Sequence, residues 1–295
     1  MRFVVLGAGA IGGVIGGGLH RAGHDVTLLA RGASADALRS SGLTLQTPDA
    51  DEVLRVPVGT VEDVRDGDVV ILAVKSQDTV AALDSLAGRD VTIVCAQNGV
   101  ANEVEALRRF ERVYGVFVWL PCQHLDPGVV QVYSSPVHGV LAVGRFPAGE
   151  DETARDLARA FTEAGCDGVV SDDVMRLKRG KLLGNLVNGI HIVLGDGEDA
   201  EALHEQAMAE ARACFEAAGI EYEPDTRALG ARMSPPRPVH GASHAMSSTW
   251  QSLQRGSTLE TDYLNGEIVL LGRLHGVPTP VNADIQARAH NLKPT

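Results

Sequence analysis

Nowhere in these 295 residues does an apolar run approach the ~20 residues a membrane-spanning helix needs; glycine or charge interrupts each one well short of it. Paired cysteines are missing too. Cys95, Cys122, Cys166 and Cys214 stand apart, in neither CxxC nor zinc spacing, so reduced thiols packed as small apolar groups are expected. Positive charge is short: 26 Lys and Arg against 38 Asp and Glu leave a formal −12, which argues against nonspecific binding of nucleic acid. That deficit makes single cations informative, because an anionic ligand needs a local cluster of positive charge. There is no internal repeat or low-complexity tract. The N-terminal MRFVVLGAG lacks the cleavage site of a signal peptide. What remains, 44% hydrophobic and 22% charged, is globular composition at a length comfortable for two domains. The expectation is a cytoplasmic enzyme or binding protein with neither membrane nor nucleic acid as partner.

Short β-branched runs alternate with helical stretches in the first half. RFVVLGA, DVTLLA, DVVILAV, VTIVCAQ and VYGVFVWL are mostly apolar throughout, as strands of a sheet covered on both faces require. Between them IGGVIGGGLHRAG and NGVANEVEALRRF are helix candidates, and the alternation predicts a doubly wound α/β domain. VVQVYS and HGVLAVG, after the turn Asp126 to Gly128, suggest a hairpin or antiparallel edge. Beyond about residue 170 the strand pattern ends. Three helices are expected there: DDVMRLKRGKLLGNLVNGIHIVL, capped by Asp172 or Asp173, AEALHEQAMAEARACFEAAG, and SSTWQSLQRGSTLETDYLNGEIVLLGRLHG. MSPPRPVHGASH separates the last two as a mobile loop. The predicted division is an α/β domain over 1–171 and an all-α domain over 172–295.

VVLGAGAIGG sets Gly7, Gly9 and Gly12 in G-x-G-x-x-G spacing directly after the first strand and at the start of a helix. There the first glycine permits a tight turn, the second lets backbone approach a pyrophosphate, and the third allows close helix–strand packing. The free N–H groups of the helix start face the anion. Dinucleotide binding by Gly7, Ala8, Gly9, Ala10, Ile11 and Gly12 is expected; the alternative is a glycine-rich turn without a ligand. At the end of the second strand an NAD enzyme carries an acid for the ribose 2′-hydroxyl, and DVTLLARG has none. Arg31 stands there instead, suited to grip a 2′-phosphate in a planar, charge-assisted fork, so NADP(H) is preferred over NAD(H). Otherwise Arg31 is a solvated loop residue. Lys75 closes the strand DVVILAVK on the ligand side of the sheet. Asn98 of QNG closes the next strand, where it either bonds near a nicotinamide or forms a turn with Gly99.

GKLLGNLVNGIHIV, from Gly180, has the apolar spacing of a buried helix, yet Lys181, Asn185 and Asn188 share one strip. At about 100° per residue, Asn185 lies roughly 40° from Lys181 and Asn188 roughly 20° to its other side. A solvated face is the plain alternative. Against it, Leu182, Leu183, Leu186, Val187, Ile190 and Ile192 surround the helix with apolar residues. Gly180, Gly184 and Gly189 each cost about 1 kcal/mol relative to alanine, which suggests close approach of another backbone or a ligand. A buried ammonium needs a partner, and an anionic substrate supplies one. With a nicotinamide cofactor this points to carbonyl reduction: hydride reaching a ketone carbon leaves negative charge on oxygen, which needs a positive donor and then a proton. Lys181 serves both needs while the asparagines hold the substrate in register.

The ordered set GAGAIG, Arg31, Lys75, QNG, KLLGN, SSTWQ and ETDYLNG resembles, over nearly the whole chain, the ketopantoate reductase family. The resemblance implies a Rossmann domain followed by a helical domain, and reduction of 2-dehydropantoate to pantoate with NADPH. It implies Lys181 as proton donor and Asn98 at the cofactor–substrate junction. Asn185, Ser248 and Ser247 would hold the substrate, with Asn188 beside them, and Glu260 would stand near the cofactor's ribose or the reacting hydroxyl. Two departures bear on the substrate: Gly189 replaces the family's second asparagine, and Leu259 its usual threonine. Ser248 and Glu260 would lie about 18 Å apart on an unbroken helix, so an interruption near Gly256 or separate duties is expected. His240 and His244, flanked by proline and glycine, are not expected to bind metal. Trp119 and Trp250 line the cleft or pack in the core. The competing readings are a related NADP-dependent dehydrogenase of another oxo acid, hydroxy acid or opine, and an NADP(H)-sensing protein without turnover. The partner expected is a small oxo acid, with a homodimer as candidate assembly.

Overall fold

The computed structural model describes residues 1–124, 126–195, 197–242 and 259–292. Contacts divide the chain into two compact units. The first comprises Met1–Asn98, Asn102–Met175 and a return segment that begins at Arg227. The second comprises Gly99–Ala101, Arg176–Thr226 and the C-terminal part of the chain.

In chain order the strands of the first unit are β1 (Arg2–Leu6), β2 (Asp25–Leu29), β3 (Leu43–Gln46), β4 (Asp51–Leu54), β5 (Val58–Gly59) and β6 (Val69–Leu72), then β7 (Thr92–Cys95), β8 (Arg112–Trp119), β9 (Cys122–Gln123), β10 (Val129–Val132), β11 (Val140–Arg145) and β12 (Asp167–Val170). Its main sheet has the order β12-β11-β8-β7-β6-β1-β2-β5. Every neighbouring pair in it is parallel except β11 with β8. Helices α1 (Ala10–Arg21), α2 (Gly32–Ser41), α3 (Thr79–Ser85), α4 (Asn102–Leu107) and α5 (Glu152–Glu163) connect the strands.

Strand alternation decides where each apolar residue goes. Phe3, Val5, Val69 and Ile71 join α1 residues Val14, Ile15 and Leu19 in one core cluster. Val4, Val70 and Leu72 join Leu83, Leu86 and Ala106 in another. Both faces are therefore covered, which explains the unbroken apolar runs of β6 and β7. The chain passes from β1 to β2 on one side and to β6 on the other, so the sheet's switch point lies beside β1, where α/β sheets open a ligand crevice.

VVQVYS and HGVLAVG do not form a hairpin. β10 lies in a second sheet of order β4-β3-β10-β9, while β11 enters the main sheet between β8 and β12. Burial explains the separation: β11 is buried at every residue but the last, whereas β10 buries only Val130 and Val132 and suits a sheet with one face covered. The proline-rich stretch is pinned, not loose, up to the last described residues. Ser234 N–H donates to the Val137 carbonyl (3.1 Å) and accepts at Oγ from Val137 N–H (3.0 Å). Further along, Arg237 and His240 pair with Asp49 (2.6 Å) and Asp51 (2.9 Å). These bonds make the return segment part of the first unit. Trp119 stacks on Phe117 with ring centroids 6.1 Å apart and abuts Gly230, so it is packed within the first unit.

His138 is buried, with Nδ1 donating to the Ser134 carbonyl (2.9 Å) and Nε2 facing Arg21 Nη2 (3.4 Å). Burial, followed by the positive charge of Arg21, pushes the imidazole's pKa below its ordinary value, against the Ser134 bond. The folded state thus holds a neutral ring that the unfolded chain protonates. Stability from this group is present above the unfolded value of ~6.5 and is lost as pH falls through the lower folded value. Melting temperature is expected to drop as pH is lowered below neutrality, and His138→Gln should flatten that acid limb; equal slopes in the two proteins would refute the assignment.

The second unit is helical: α6 (Val174–Asn185, whose first two residues lie in the first unit), α7 (Val187–Leu194), α8 (Glu198–Ala217), α9 (Thr226–Gly230, mostly in the return segment), α10 (Asn265–His275) and α11 (Pro280–Asn291). Its core gathers Leu182, Leu186, Ile190, Ala207, Ala211, Phe215, Ile268 and Ile285. The long polar helix expected from Gly180 onward is two helices with a turn at Leu186. Glu260 likewise stands outside α10: it precedes a single 3₁₀ turn, Thr261–Tyr263. Among the described residues no helix is long and apolar enough to cross a membrane, and no group of three or more His, Cys, Asp or Glu could hold a metal ion.

Candidate active site

Gly7 follows β1 with φ of +108°, a conformation glycine adopts without steric cost. Its N–H donates to the Leu29 carbonyl at the end of β2 (3.1 Å), and Ala73 N–H, just past β6, donates to the Leu6 carbonyl (2.9 Å). The turn is thereby stitched to both neighbours of β1. A Cβ on Gly7 would come within 2.8–2.9 Å of the Ala73–Val74 backbone, and one on Gly12 would collide with the Gly7 carbonyl. Gly9 differs: it caps α1, and a Cβ there would meet nothing within 4 Å. Two glycines serve packing, and the middle one leaves bare backbone at the helix start, with Ala10 and Ile11 opening α1.

A pocket of about 330 Å³ lies against this turn, walled by Leu6–Gly9, Leu29, Ala30, Arg31, Ser34, Val74 and His124. Among the described residues no carboxylate lines it. Arg31 is exposed at the N-cap of α2, and Ser34 sits in that helix's first turn. Bare backbone, a helix N-terminus and an arginine at the end of β2 fit a dinucleotide whose ribose carries a 2′-phosphate. Ser34 and His124 escaped the sequence reading. Ser34 was discoverable from its place three residues beyond Arg31; His124 reaches the pocket only through the second sheet.

Lys75 and Asn98 are partly buried at the ends of β6 and β7. Beneath them lies a buried polar network within the first unit. Asn102 Nδ2 donates to the Asn98 carbonyl (3.1 Å) and to Ser76 Oγ (3.3 Å), while its Oδ1 accepts from Thr79 Oγ1 (2.7 Å). Gln97 Nε2 donates to Thr79 Oγ1 (2.7 Å) and to the Val74 carbonyl (3.0 Å). Asn98 and Gly99 lie in a bend, with Gly99 at φ +79°, and the network ties that bend to the loop carrying Lys75. Only the tertiary structure brings these two strand ends together.

In the second unit Lys181, Asn185 and Asn188 are each partly buried, while Leu182, Leu183, Leu186 and Ile190 are in the core. Leu186 keeps helical dihedrals (φ −59°, ψ −28°) and its N–H donates to the Leu182 carbonyl (3.1 Å), so the helical course carries through the turn from α6 to α7. The three glycines have different reasons. A Cβ on Gly180 would strike the Glu223 carbonyl, and one on Gly189 would lie 2.5 Å from Asn265 Oδ1 and 2.9 Å from Ile285 Cγ2. Protein atoms, not a ligand, press on both. Gly184 is exposed, with nothing within 4 Å of a would-be Cβ. A side chain at residue 189 would press on Asn265 and Ile285, and glycine leaves that packing undisturbed. Glu260 is buried. Ser247, Ser248, Trp250 and His244 lie outside the described residues.

The family described as ketopantoate reductase PanE/ApbA matches residues 3–147, and its C-terminal counterpart matches residues 174–293. The 2-dehydropantoate 2-reductase of Mesorhizobium japonicum is 29% identical, covering 99% of this chain and 98% of its own. That of Pyrococcus horikoshii is 27% identical, covering 96% and 94%. Among solved structures, the PanE/ApbA family ketopantoate reductase from Ralstonia eutropha JMP134 matches with a TM-score of 0.83 at 30% identity, covering 99% of this chain and 98% of that one.

Proposed function

Since the chain belongs to the ketopantoate reductase family, we propose that it reduces 2-dehydropantoate, a small 2-oxo acid, to pantoate with NADPH. The observation that carries this reading is the acid-free pocket at the switch point, with Gly9 backbone at one end and Arg31 at the other. Gly7 to Gly12 and Arg31 would hold the cofactor there, with Lys75 and Asn98 at the neighbouring strand ends. When bound, NADPH supplies the hydride.

Lys181 presents an ammonium group to the substrate's carbonyl oxygen, offsets the negative charge growing on it, and gives it a proton. Asn185 and Asn188 hold the substrate's polar groups, with Ser247 and Ser248 as further ligands, so that little motion is left to restrict at the reacting carbon. Glu260 orients the cofactor's ribose or the newly formed hydroxyl. A panel of 2-oxo acids, followed by NADPH absorbance, tests the reading. The highest kcat/KM should belong to 2-dehydropantoate. Preference for another acid would move the chain to a sister activity, and NADPH binding without consumption of any acid would make it a sensor.

The proposal includes a cytoplasmic homodimer. All four cysteines are buried free thiols, as a reducing compartment allows. Leu270 and Leu274, one turn apart on α10, are 48% and 68% exposed and offer an apolar surface to a second copy. Sedimentation velocity checks this, and a monomer at micromolar concentration would count against it.

A further inference from the structure

The junction between α6 and α7, which separates Asn185 from Asn188, is held by a buried amide that touches none of the proposed substrate ligands. Asn265, fully buried at the start of α10, points Nδ2 at the Leu186 carbonyl through a long bond (3.4 Å). The same Nδ2 donates to Asn282 Oδ1 (3.0 Å). Asn282 is also fully buried, and its own amide donates to the Ala207 carbonyl (3.1 Å) and to Glu210 Oε2 (2.8 Å). Glu210 in turn accepts the N–H groups of Val281 (2.8 Å) and Asn282 (3.0 Å), capping the start of α11. A relay thus runs from α8 and α11 through two amides to the Leu186 carbonyl, one of two side-chain-held carbonyls at the turn, the other being that of Leu183, bonded by His204 Nε2 (2.9 Å). On its other side, Asn265 Oδ1 rests over Gly189, where a Cβ would lie 2.5 Å away; this oxygen has no hydrogen-bond partner among the described residues.

Leucine or methionine would fill this space without the cost of burying amides. Apolar side chains slide past one another, whereas the directed bonds of the Asn265 and Asn282 amides select one arrangement. The element so held carries Lys181 and both asparagines. We infer that Asn265 is a positioning residue for Lys181: through the Leu186 carbonyl and the bare Cα of Gly189 it sets the register of the α6–α7 junction. This rests on the reading of Lys181 as the proton donor.

The test measures kcat and both KM values for Asn265→Ala, Lys181→Ala and the double variant. Deuterium exchange over residues 182–190 and melting temperature are followed alongside. Asn265→Ala should lower kcat by about tenfold to a hundredfold, the scale on which small misplacements act, with the KM for NADPH within about twofold of the parent. Exchange at the junction should rise. The double variant should lose much less than the product of the two single losses, because Asn265 acts through the segment that carries Lys181. If Asn265→Ala does not fold, Gly189→Ala presses on the same amide from the helix side and should give the same pattern. An unchanged kcat in the folded variant, or losses that multiply in the double variant, would overturn the inference while Lys181→Ala still upholds the proposed acid. Full turnover in Lys181→Ala would instead remove the acid, and this inference with it.

Discussion

Lys181→Ala is expected to lower kcat for 2-dehydropantoate at least about a hundredfold, the ordinary loss on removing a general acid. That corresponds to about 2.7 kcal/mol of transition-state stabilisation. The cation's interaction with oxygen strengthens as negative charge develops there, so the loss should fall on kcat more than on the KM of NADPH, which is bound by other residues. Steady-state kinetics on the purified variant decide the matter. Turnover equal to the parent's would take Lys181 out of the reaction.

Arg31→Ala should raise the KM for NADPH by about tenfold to a hundredfold, as loss of hydrogen bonds to a charged group implies at roughly 1.5–3 kcal/mol. The KM for NADH should change by no more than about twofold, since that cofactor lacks the 2′-phosphate. Arg31 is exposed, and its attraction for a phosphate is therefore screened by salt. Raising ionic strength should shrink the gap between parent and variant. Equal effects on the two cofactors would contradict the assignment and leave Ser34, on the same pocket wall, as the group to examine.

Local pattern was enough for much of the architecture. Short, largely apolar β-branched runs such as VVIL and TIVC suit a sheet covered on both faces, and they lie in one, as β6 and β7. The glycine spacing after β1, the missing acid beside Arg31 and the polar strip from Lys181 were readable for the same reason: each depends on residues a few positions apart. Choices among distant partners were not readable. β10 pairs with β3 and β11 with β8, so two runs that look like a hairpin part company. The return segment from Arg227 joins the first unit through Val137, Asp49 and Asp51, whose distance in the sequence hides them from any local pattern. Gly189 reads as a lost ligand until Asn265 is seen lying over it. Backbone periodicity and side-chain chemistry act over one or two turns, and they were enough for most elements and for naming candidate reacting groups. Register between elements is set by packing and hydrogen bonds that exist only once the chain has folded, so the loop beneath Asn98 and the amide relay behind Leu186 belonged to the tertiary structure alone.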